Sequence, residues 1–224
     1  MRKNQRIVAI VIAALVSLSM IASPFVMYFS SAKDSNAVYS NGSSTNTLVQ
    51  NLQSQANSLS QALSSNPQDT PIRLNLANTY YDLAMTTLGG NTPAEAGPIF
   101  KQAVAEYQEV VKTQKDVNIL VDMATAAFYG GEDELADKAF KEALALKPDF
   151  LNALTNYGVF LMEAKNDYMG AISQWNTALT TAKPSPEDVE RLNGFIKMAQ
   201  EKLQSSFEQS GSINNPGSST SGAK

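Results

Sequence analysis

The strongest constraint in this sequence is a pattern of small and apolar residues that recurs at helical spacing. The clearest unit contains two such stretches, Leu120-x₂-Met123-Ala124-x₂-Ala127 and Ala136-x₃-Phe140-x₂-Ala143. The next unit repeats them as Leu154-x₂-Tyr157-Gly158-x₂-Leu161 and Ala171-x₃-Trp175-x₂-Ala178, with Gly158 lying 34 positions after Ala124. A period of this length is typical of arrays in which each unit needs its neighbours to complete a core.

The body of the chain is predicted to be all-α. Apolar residues recur at helical spacing from Leu48 to Phe207, and no segment shows the alternation expected of strands. A capping residue followed by Pro marks the helix starts Thr70-Pro71, Thr92-Pro93 and Ser185-Pro186. Breaks are predicted at Gly89-Gly90, at Gly130-Gly131, and near Pro148 and Pro184. The pattern therefore predicts short helices in pairs.

Three less regular segments extend the array. An earlier unit reads Arg73-x₂-Leu76-Ala77-x₂-Tyr80 and Ala103-x₃-Tyr107-x₂-Val110, and the region between its helices is about 13 residues longer than in the other units. A lone helix precedes it, with the half-repeat Gln55-x₃-Leu59-x₂-Ala62-x₄-Pro67. The last helix, from Pro186 to about Glu208, carries one apolar stripe and one polar face, as an end cap requires.

These units resemble the tetratricopeptide repeat (TPR) over about residues 50–205. The resemblance implies a right-handed α-solenoid of about three TPR-like helix pairs, with an extra N-terminal helix and a C-terminal capping helix. In the last unit Asn166-Asp167-Tyr168 resembles the turn between the helices of a repeat, shifted by one inserted residue. Small residues would let paired helices approach closely, and Tyr107, Phe140 and Trp175 would fill the space between pairs.

The resemblance also implies a binding surface, because the first helices of such repeats line a concave groove that usually holds a peptide or a helix. The candidate groove residues are Leu74, Asn78, Tyr81, Asp82, Asn118, Val121, Thr125, Phe128, Tyr129, Asn152, Thr155, Val159, Met162 and Glu163. The aromatic residues and Met162 would anchor a partner, and the Asn residues would hydrogen-bond its backbone. The alternative is that Phe128 and Met162 pack against neighbouring helices, and for each aromatic residue packing in the core is as well supported as a place in the groove.

The candidate groove lacks the cations with which some TPR proteins grip a C-terminal carboxylate. Leu74, Val121 and Thr155 occupy the positions where such a clamp has Lys, Arg or Asn. A less charged ligand is therefore expected. The insertion at Gly89-Gly90-Asn91 is either a second binding surface or a tolerated loop.

Composition excludes most catalytic and cofactor chemistry. The chain has no His and no Cys, so it has no Ser-His-Asp triad, thiol nucleophile or His- or Cys-ligated metal, and we expect no catalytic residues, cofactor or metal site. The densest acidic cluster, Glu132-Asp133-Glu134, is predicted to cap a helix. After residue 6 the chain has 14 Lys and Arg against 21 Asp and Glu and no basic stripe, which argues against nucleic acid as a partner.

The N-terminus is predicted to anchor the chain in a membrane. Residues 1–6 are basic, and the 23 residues Ile7–Phe29 contain no charge, which is enough for a helix of about 34 Å. The basic flank predicts a cytoplasmic N-terminus and an extracytoplasmic remainder, that is, a single-pass membrane protein. The alternative is a signal peptide cleaved near Ala32.

The remaining segments divide the chain. Residues 30–46 are predicted to be a flexible Ser-rich linker, residues 47–208 the TPR-like repeat domain, and residues 209–224 a disordered Ser- and Gly-rich tail. The sequence does not predict an oligomeric state.

The first functional hypothesis is a membrane-anchored adaptor, a protein-protein interaction scaffold whose extracytoplasmic groove binds a peptide or partner of an envelope or secretion assembly. The alternative is a secreted or anchored protein that binds a small ligand or a cell-wall glycan. An enzyme that uses only carboxylates is disfavoured, because no acid pair lies in an apolar segment.

Overall fold

The computed structural model describes residues 41–90 and 93–213, and within these ranges the regular structure is entirely helical. The elements are α1 (Asn41–Ser65), α2 (Thr70–Leu88), a 3₁₀ turn (Pro93–Glu95), α3 (Ala96–Val110), α4 (Val117–Gly130), α5 (Asp133–Leu146), α6 (Leu151–Phe160), a π-helical turn (Leu161–Lys165), α7 (Tyr168–Thr181) and α8 (Pro186–Ile213). The all-α prediction is confirmed.

The chain divides into two compact units between Pro148 and Asp149. Unit 1 contains helices α1 to α5, and unit 2 contains α6 to α8. The sequence pattern continues across this point and predicted one domain over residues 47–208. The helical boundaries also lie further out than predicted, at Asn41 within the expected linker and at Ile213 within the expected tail.

Unit 1 is built from two helical hairpins and one additional helix. Helix α2 packs against α3, α4 packs against α5, α3 also packs against α4, and α1 covers α2. The small residues that were predicted to lie between helices are fully buried, namely Ala77, Ala103, Ala124 and Ala136. Because these side chains end at Cβ, the paired helices approach closely, and Phe100, Tyr107 and Phe140 fill the remaining space.

The lone helix α1 packs in a different register from the predicted half-repeat. Ala56 and Leu63 are buried against Leu76 of α2, with Leu59 partly buried beside them. Ala62, which the half-repeat predicted to be a contact, is exposed. Ala56, Leu59 and Leu63 follow three- and four-residue spacing, so they form the apolar stripe of this helix.

Capping interactions fix the helix starts. At the predicted helix start Ser185-Pro186, Ser185 and Asp188 form a capping box: the amide of Asp188 donates to Ser185 Oγ at 3.2 Å, and the amide of Ser185 donates to Asp188 Oδ2 at 3.3 Å. At α2 the prediction is corrected by one residue, because Asp69, not Thr70, accepts the amide of Ile72. At the end of α4, Gly131 has a φ of 79°, a conformation that favours glycine.

Most of the described residues in the two insertions predicted from the repeat pattern lie in helical segments. In unit 1 the extra residues mostly lengthen α2 and precede α3, and Met85, Leu88, Ala96 and Phe100 are buried. In unit 2 the single inserted residue falls in the π-helical turn Leu161–Lys165, which holds one residue more per turn than an α-helix. The insertion in unit 1 therefore contributes several side chains to its core.

None of the helices in residues 41–90 and 93–213 is long and apolar enough to cross a bilayer. The predicted transmembrane segment Ile7–Phe29 and the predicted cleavage site near Ala32 lie outside the described residues.

Candidate functional site

The predicted groove residues of unit 1 lie on α2 and α4, both of which pack against α3. Three of them, Asn78, Asp82 and Asn118, are exposed, and three others, Leu74, Phe128 and Tyr129, are half-buried. Tyr81, Val121 and Thr125 are buried. The exposed members are polar, so a partner would meet amide and carboxylate groups first.

Aromatic rings from all three helices form a continuous stack beneath this surface. Tyr81 of α2 meets Phe100 of α3 edge to face, with ring centroids 6.0 Å apart. Phe100 stacks on Tyr129 of α4 at 5.2 Å, and Tyr129 contacts Phe128 at 4.8 Å. These rings hold α2 and α4 at a fixed spacing across α3, because each aromatic pair contributes attraction beyond its buried area. The predicted aromatic anchors are thus partly structural.

Asn78 is held by a hydrogen bond from α3. The hydroxyl of Tyr107 donates to Asn78 Oδ1 at 2.8 Å, and the Tyr107 ring is buried. This bond leaves the Nδ2 donors of Asn78 on the exposed side of the helix for other partners. Asn118, in contrast, donates from Nδ2 to Asp116 Oδ1 at 3.0 Å as part of the N-terminal cap of α4.

The structure adds Asp122 to this surface, a residue that the repeat pattern did not predict. Asp122 is half-buried on α4, one turn after Asn118. Burial, together with the negative charges of Asp82 and Asp116, raises the pKa of Asp122 to about 7. Although much of Asp82 is exposed, burial of part of the side chain raises its pKa as well. The spacing of four residues from Asn118 was the sequence signal that could have identified Asp122.

The hydroxyls of Tyr81 and Tyr107 lie in the same electrostatic environment. Burial first, and then the charge of Asp122, raises the pKa of both Tyr81 and Tyr107 well above its usual value. Asp82 adds to both shifts. We refer to Asn78, Tyr81, Asp82, Tyr107 and Asp122 as the acidic face of unit 1.

The predicted groove residues of unit 2 are less accessible. Met162 is only 3% exposed and belongs to the core, and Thr155 is also buried. The carboxylate of Glu163 forms an ion pair with Lys202 of α8 at 3.3 Å. Val159 is half-buried, and Asn152 is exposed. Met162 therefore stabilises the hairpin, and Glu163 already has a cation within its own unit.

Unit 2 depends on a close approach between α6 and α7. A Cβ atom at Gly158 would overlap the indole of Trp175, which is fully buried. The indole Nε1 donates to the carbonyl of Thr155 at 3.1 Å, and the ring lies 5.3 Å from that of Phe195 on α8. One side chain thus joins all three helices of this unit.

Within the described ranges the structure brings together no group of three or more acidic side chains suited to a metal ion. Asp133 and Glu134 lie in the first turn of α5, where negative charge complements the helix dipole as predicted. The capping prediction is corrected at Glu132, which occupies the N-cap position but whose side chain forms no capping hydrogen bond.

Two solved structures of MamA are similar to this chain. One aligns over 77% of this chain and 99% of its own length at 16% identity, with a TM-score of 0.51. The other aligns over 78% and 90% at 13% identity, with a TM-score of 0.50. MamA is a TPR-type protein. The chain has a tetratricopeptide-repeat fold.

This TPR fold agrees with the hairpins and small-residue contacts described above. The TPR domain of P58(IPK) also aligns, over 71% of this chain and 44% of its own length at 15% identity, with a TM-score of 0.42. No family model matches the sequence, and no curated protein matches it.

Proposed function

We propose that this protein is a membrane-anchored interaction scaffold whose TPR-like repeats bind a peptide segment of a partner protein outside the cytoplasm. The partner would belong to an envelope or secretion assembly. The observation that carries the proposal is the acidic face of unit 1, where exposed polar groups overlie a rigid aromatic stack.

This surface has the properties that peptide recognition needs. Asn78 is oriented by Tyr107, so its amide is available to a peptide backbone without further loss of side-chain freedom. The stacked rings keep the helices in place when a ligand binds. No reactive group accompanies them, so the proposal includes no catalytic step.

The membrane part of the proposal rests on Ile7–Phe29. Its uncharged length and basic flank favour an uncleaved anchor with the repeats on the outer side. Fractionation of cells that express the full chain, followed by carbonate extraction and protease treatment of intact spheroplasts, tests this arrangement. Retention in the membrane with protease-sensitive repeats is expected. A soluble, shortened chain in the medium would instead support cleavage near Ala32.

The peptide-binding part can be tested by site-specific photocrosslinking in cells. A photoreactive amino acid is placed at Asn118, which is exposed near the acidic face, or at Gln108, which is exposed on α3. The full chain is solubilised in detergent, and its adducts are identified by mass spectrometry. We expect one envelope protein to be crosslinked from position 118 and not from position 108. Equal crosslinking from both positions, or none from position 118, would contradict the groove assignment.

The same experiment separates the alternative function. A chain that binds a small ligand or a cell-wall glycan would give no protein adduct from position 118. It would instead show saturable binding of purified glycan fragments.

A further inference from the structure

The two carboxylates of the acidic face have no cationic partner. Asp82 and Asp122 form no ion pair and no side-chain hydrogen bond with any residue in the described ranges. Other acids in unit 1 are paired: Glu106 with Arg73 at 2.6 Å, and Glu142 with Lys115 at 2.5 Å. Exposed acids of unit 1 such as Glu95 and Glu134 are also unpaired within the described ranges, so what distinguishes this face is that its two unpaired carboxylates lie within electrostatic range of each other.

An ionised Asp122 works against folding. Burial and two neighbouring carboxylates oppose its charge, and no contact within the described residues compensates for this. A neutral side chain of the same shape would fit the position at lower free energy. Charge that is unfavourable for the fold and unpaired within it is typical of a surface that meets an opposite charge from outside.

A second, independent observation is the hydroxyl of Tyr81. This residue is only 8% exposed, yet its hydroxyl takes part in no hydrogen bond with a described residue. The charges of Asp122 and Asp82 act on that hydroxyl, so it lies within electrostatic range of both carboxylates. The Tyr81 oxygen is not among the fully buried atoms that lack a partner, so it reaches the surface, where it can accept a hydrogen bond from a donor of a ligand.

We propose that Asp82, Asp122 and the Tyr81 hydroxyl form a subsite that binds a basic side chain, Lys or Arg, of the partner segment. The inference rests on the proposed peptide-binding function and narrows its ligand. The two carboxylates and the hydroxyl offer oxygen acceptors, and both an ammonium and a guanidinium carry only donors, so the hydrogen-bonding capacities match. The sequence alone predicted a less charged ligand, because Leu74, Val121 and Thr155 stand where a carboxylate clamp has cations or Asn, and Asp122 was not among the candidate residues.

The test uses the detergent-solubilised full chain and four pools of short capped peptides. The pools share random flanking positions and differ only in a central Arg, Lys, Gln or Glu. We expect the Arg and Lys pools to be retained about tenfold more than the Gln pool, and the Glu pool least. Equal retention of all four pools would overturn the inference.

Variants that remove carboxylates test whether the preference for basic peptides arises at this subsite. The double variant Asp82→Asn/Asp122→Asn should lose the preference for basic peptides, whereas the control Glu95→Gln/Glu134→Gln should keep it. Both variants replace two carboxylates of unit 1, and the control residues are exposed. The comparison is made at about pH 8, above the pKa of about 7 of Asp122, so that each variant removes close to two negative charges. Loss of the preference in both variants would show only a dependence on net charge and would overturn the proposed site.

Tyr81→Phe removes only the hydroxyl, and we expect it to weaken binding of the Arg pool about two- to fivefold. Retention unchanged by Tyr81→Phe and by the double variant would also contradict the subsite. Displacement of the peptides by millimolar Ca²⁺ or Mg²⁺ in the wild type, but not in the double variant, would identify a metal site instead.

The outcomes distinguish this inference from the proposed function. If the photocrosslinked partner is retained by Asp82→Asn/Asp122→Asn, groove binding stands and the basic subsite is wrong. If basic peptides bind selectively but no partner is crosslinked from position 118, the subsite stands and the adaptor role is wrong.

Discussion

The two units differ in whether a partly buried carboxylate has a cationic partner. In unit 2 the side chain of Glu163 is only 10% exposed, and Lys202 of the same unit neutralises it. In unit 1 Asp122 has no such partner, and its pKa rises to about 7. The position 34 residues after Asp122 is occupied by the uncharged Asn156. The difference teaches that unit 2 neutralises its partly buried Glu163 from within, whereas unit 1 leaves the charge of Asp122 for a ligand to neutralise.

Among the changes considered, Gly158→Ala in unit 2 should reduce stability most, because it disturbs the packing around Trp175. The added methyl group would overlap the buried indole of Trp175, and we expect a loss of about 3 kcal/mol in the free energy of unfolding. Urea denaturation followed by the fluorescence of Trp175, the single tryptophan, reports on this unit directly.

Gly194→Ala is the matched control in the same unit. A Cβ at Gly194 would meet no atom within 4 Å, so this variant should be neutral or slightly stabilising through its helix propensity. An unchanged urea midpoint for Gly158→Ala would contradict the packing described for Trp175.

In unit 1, Asp122→Asn should stabilise the folded chain at alkaline pH. The pKa of Asp122 is raised from 3.8 to about 7, so the proton that the native state keeps adds stability below about pH 4. That stability is lost as the pH rises through about 7, and the loss is at most about 4 kcal/mol. Partial exposure reduces the expected gain of the Asn variant to about 1–2 kcal/mol at about pH 8.

Urea unfolding followed by far-ultraviolet circular dichroism at about pH 8 and about pH 4 measures this difference. Glu134→Gln serves as the control, because Glu134 is exposed and faces no buried carboxylate pair. A stabilisation by Asp122→Asn that is equal at both pH values would show that charge is not its cause.

The affinity of unit 1 for a basic peptide should depend on pH, because Asp122 has no cation of its own. The titratable groups that act on Asp122 or respond to it are Asp82 and Tyr81 on α2, Tyr107 on α3 and Asp116 at the start of α4. Since ionisation of Asp122 is complete only above its pKa, affinity for the Arg pool should rise about fivefold between about pH 6 and about pH 8. The Asp122→Asn variant should show a flat profile, and a wild-type affinity that falls over this range would exclude the role given to Asp122.

The smallest expected change in stability comes from removing the cation beside Glu163, so that this carboxylate of unit 2 is unpaired as Asp122 is in unit 1. Lys202→Met keeps the aliphatic stem but leaves Glu163 without a cation, and we expect a loss of about 0.5–1 kcal/mol at neutral pH. Adding Glu163→Gln should restore part of it. A double-mutant cycle by urea denaturation measures the coupling, and a value of zero would mean that the Glu163–Lys202 pair does not distinguish the units.

Much of the fold could be predicted from the sequence, because small residues at fixed spacing leave few ways to pack helices. Ala124, Gly158, Phe140 and Trp175 all lie in the core as the repeat pattern required. The capping box of Ser185 and Asp188 was also predictable, since its hydrogen bonds are local.

Tertiary arrangement limited the other predictions. The sequence showed where the inserted residue lies but did not predict that it forms the π-helical turn Leu161–Lys165. The burial of Met162 depends on packing within unit 2, which helical spacing alone does not reveal. Asp122 was missed because its environment arises first from burial and then from the charges of Asp82 and Asp116, and both burial and the position of Asp82 depend on tertiary packing. The spacing of residues along the chain thus predicted the helical fold better than it predicted the acidic face.

The most direct test of this account is the pKa of Asp122 in the full chain, measured by carbon-detected NMR of the side-chain carboxyl group across pH. We predict a value near 7 for the free chain, assigned through Asp122→Asn, and a lower value when peptides of the Arg pool are bound. An ordinary value of about 4 in the free chain, unchanged by the peptides, would contradict the claim that unit 1 holds an uncompensated carboxylate for a basic partner.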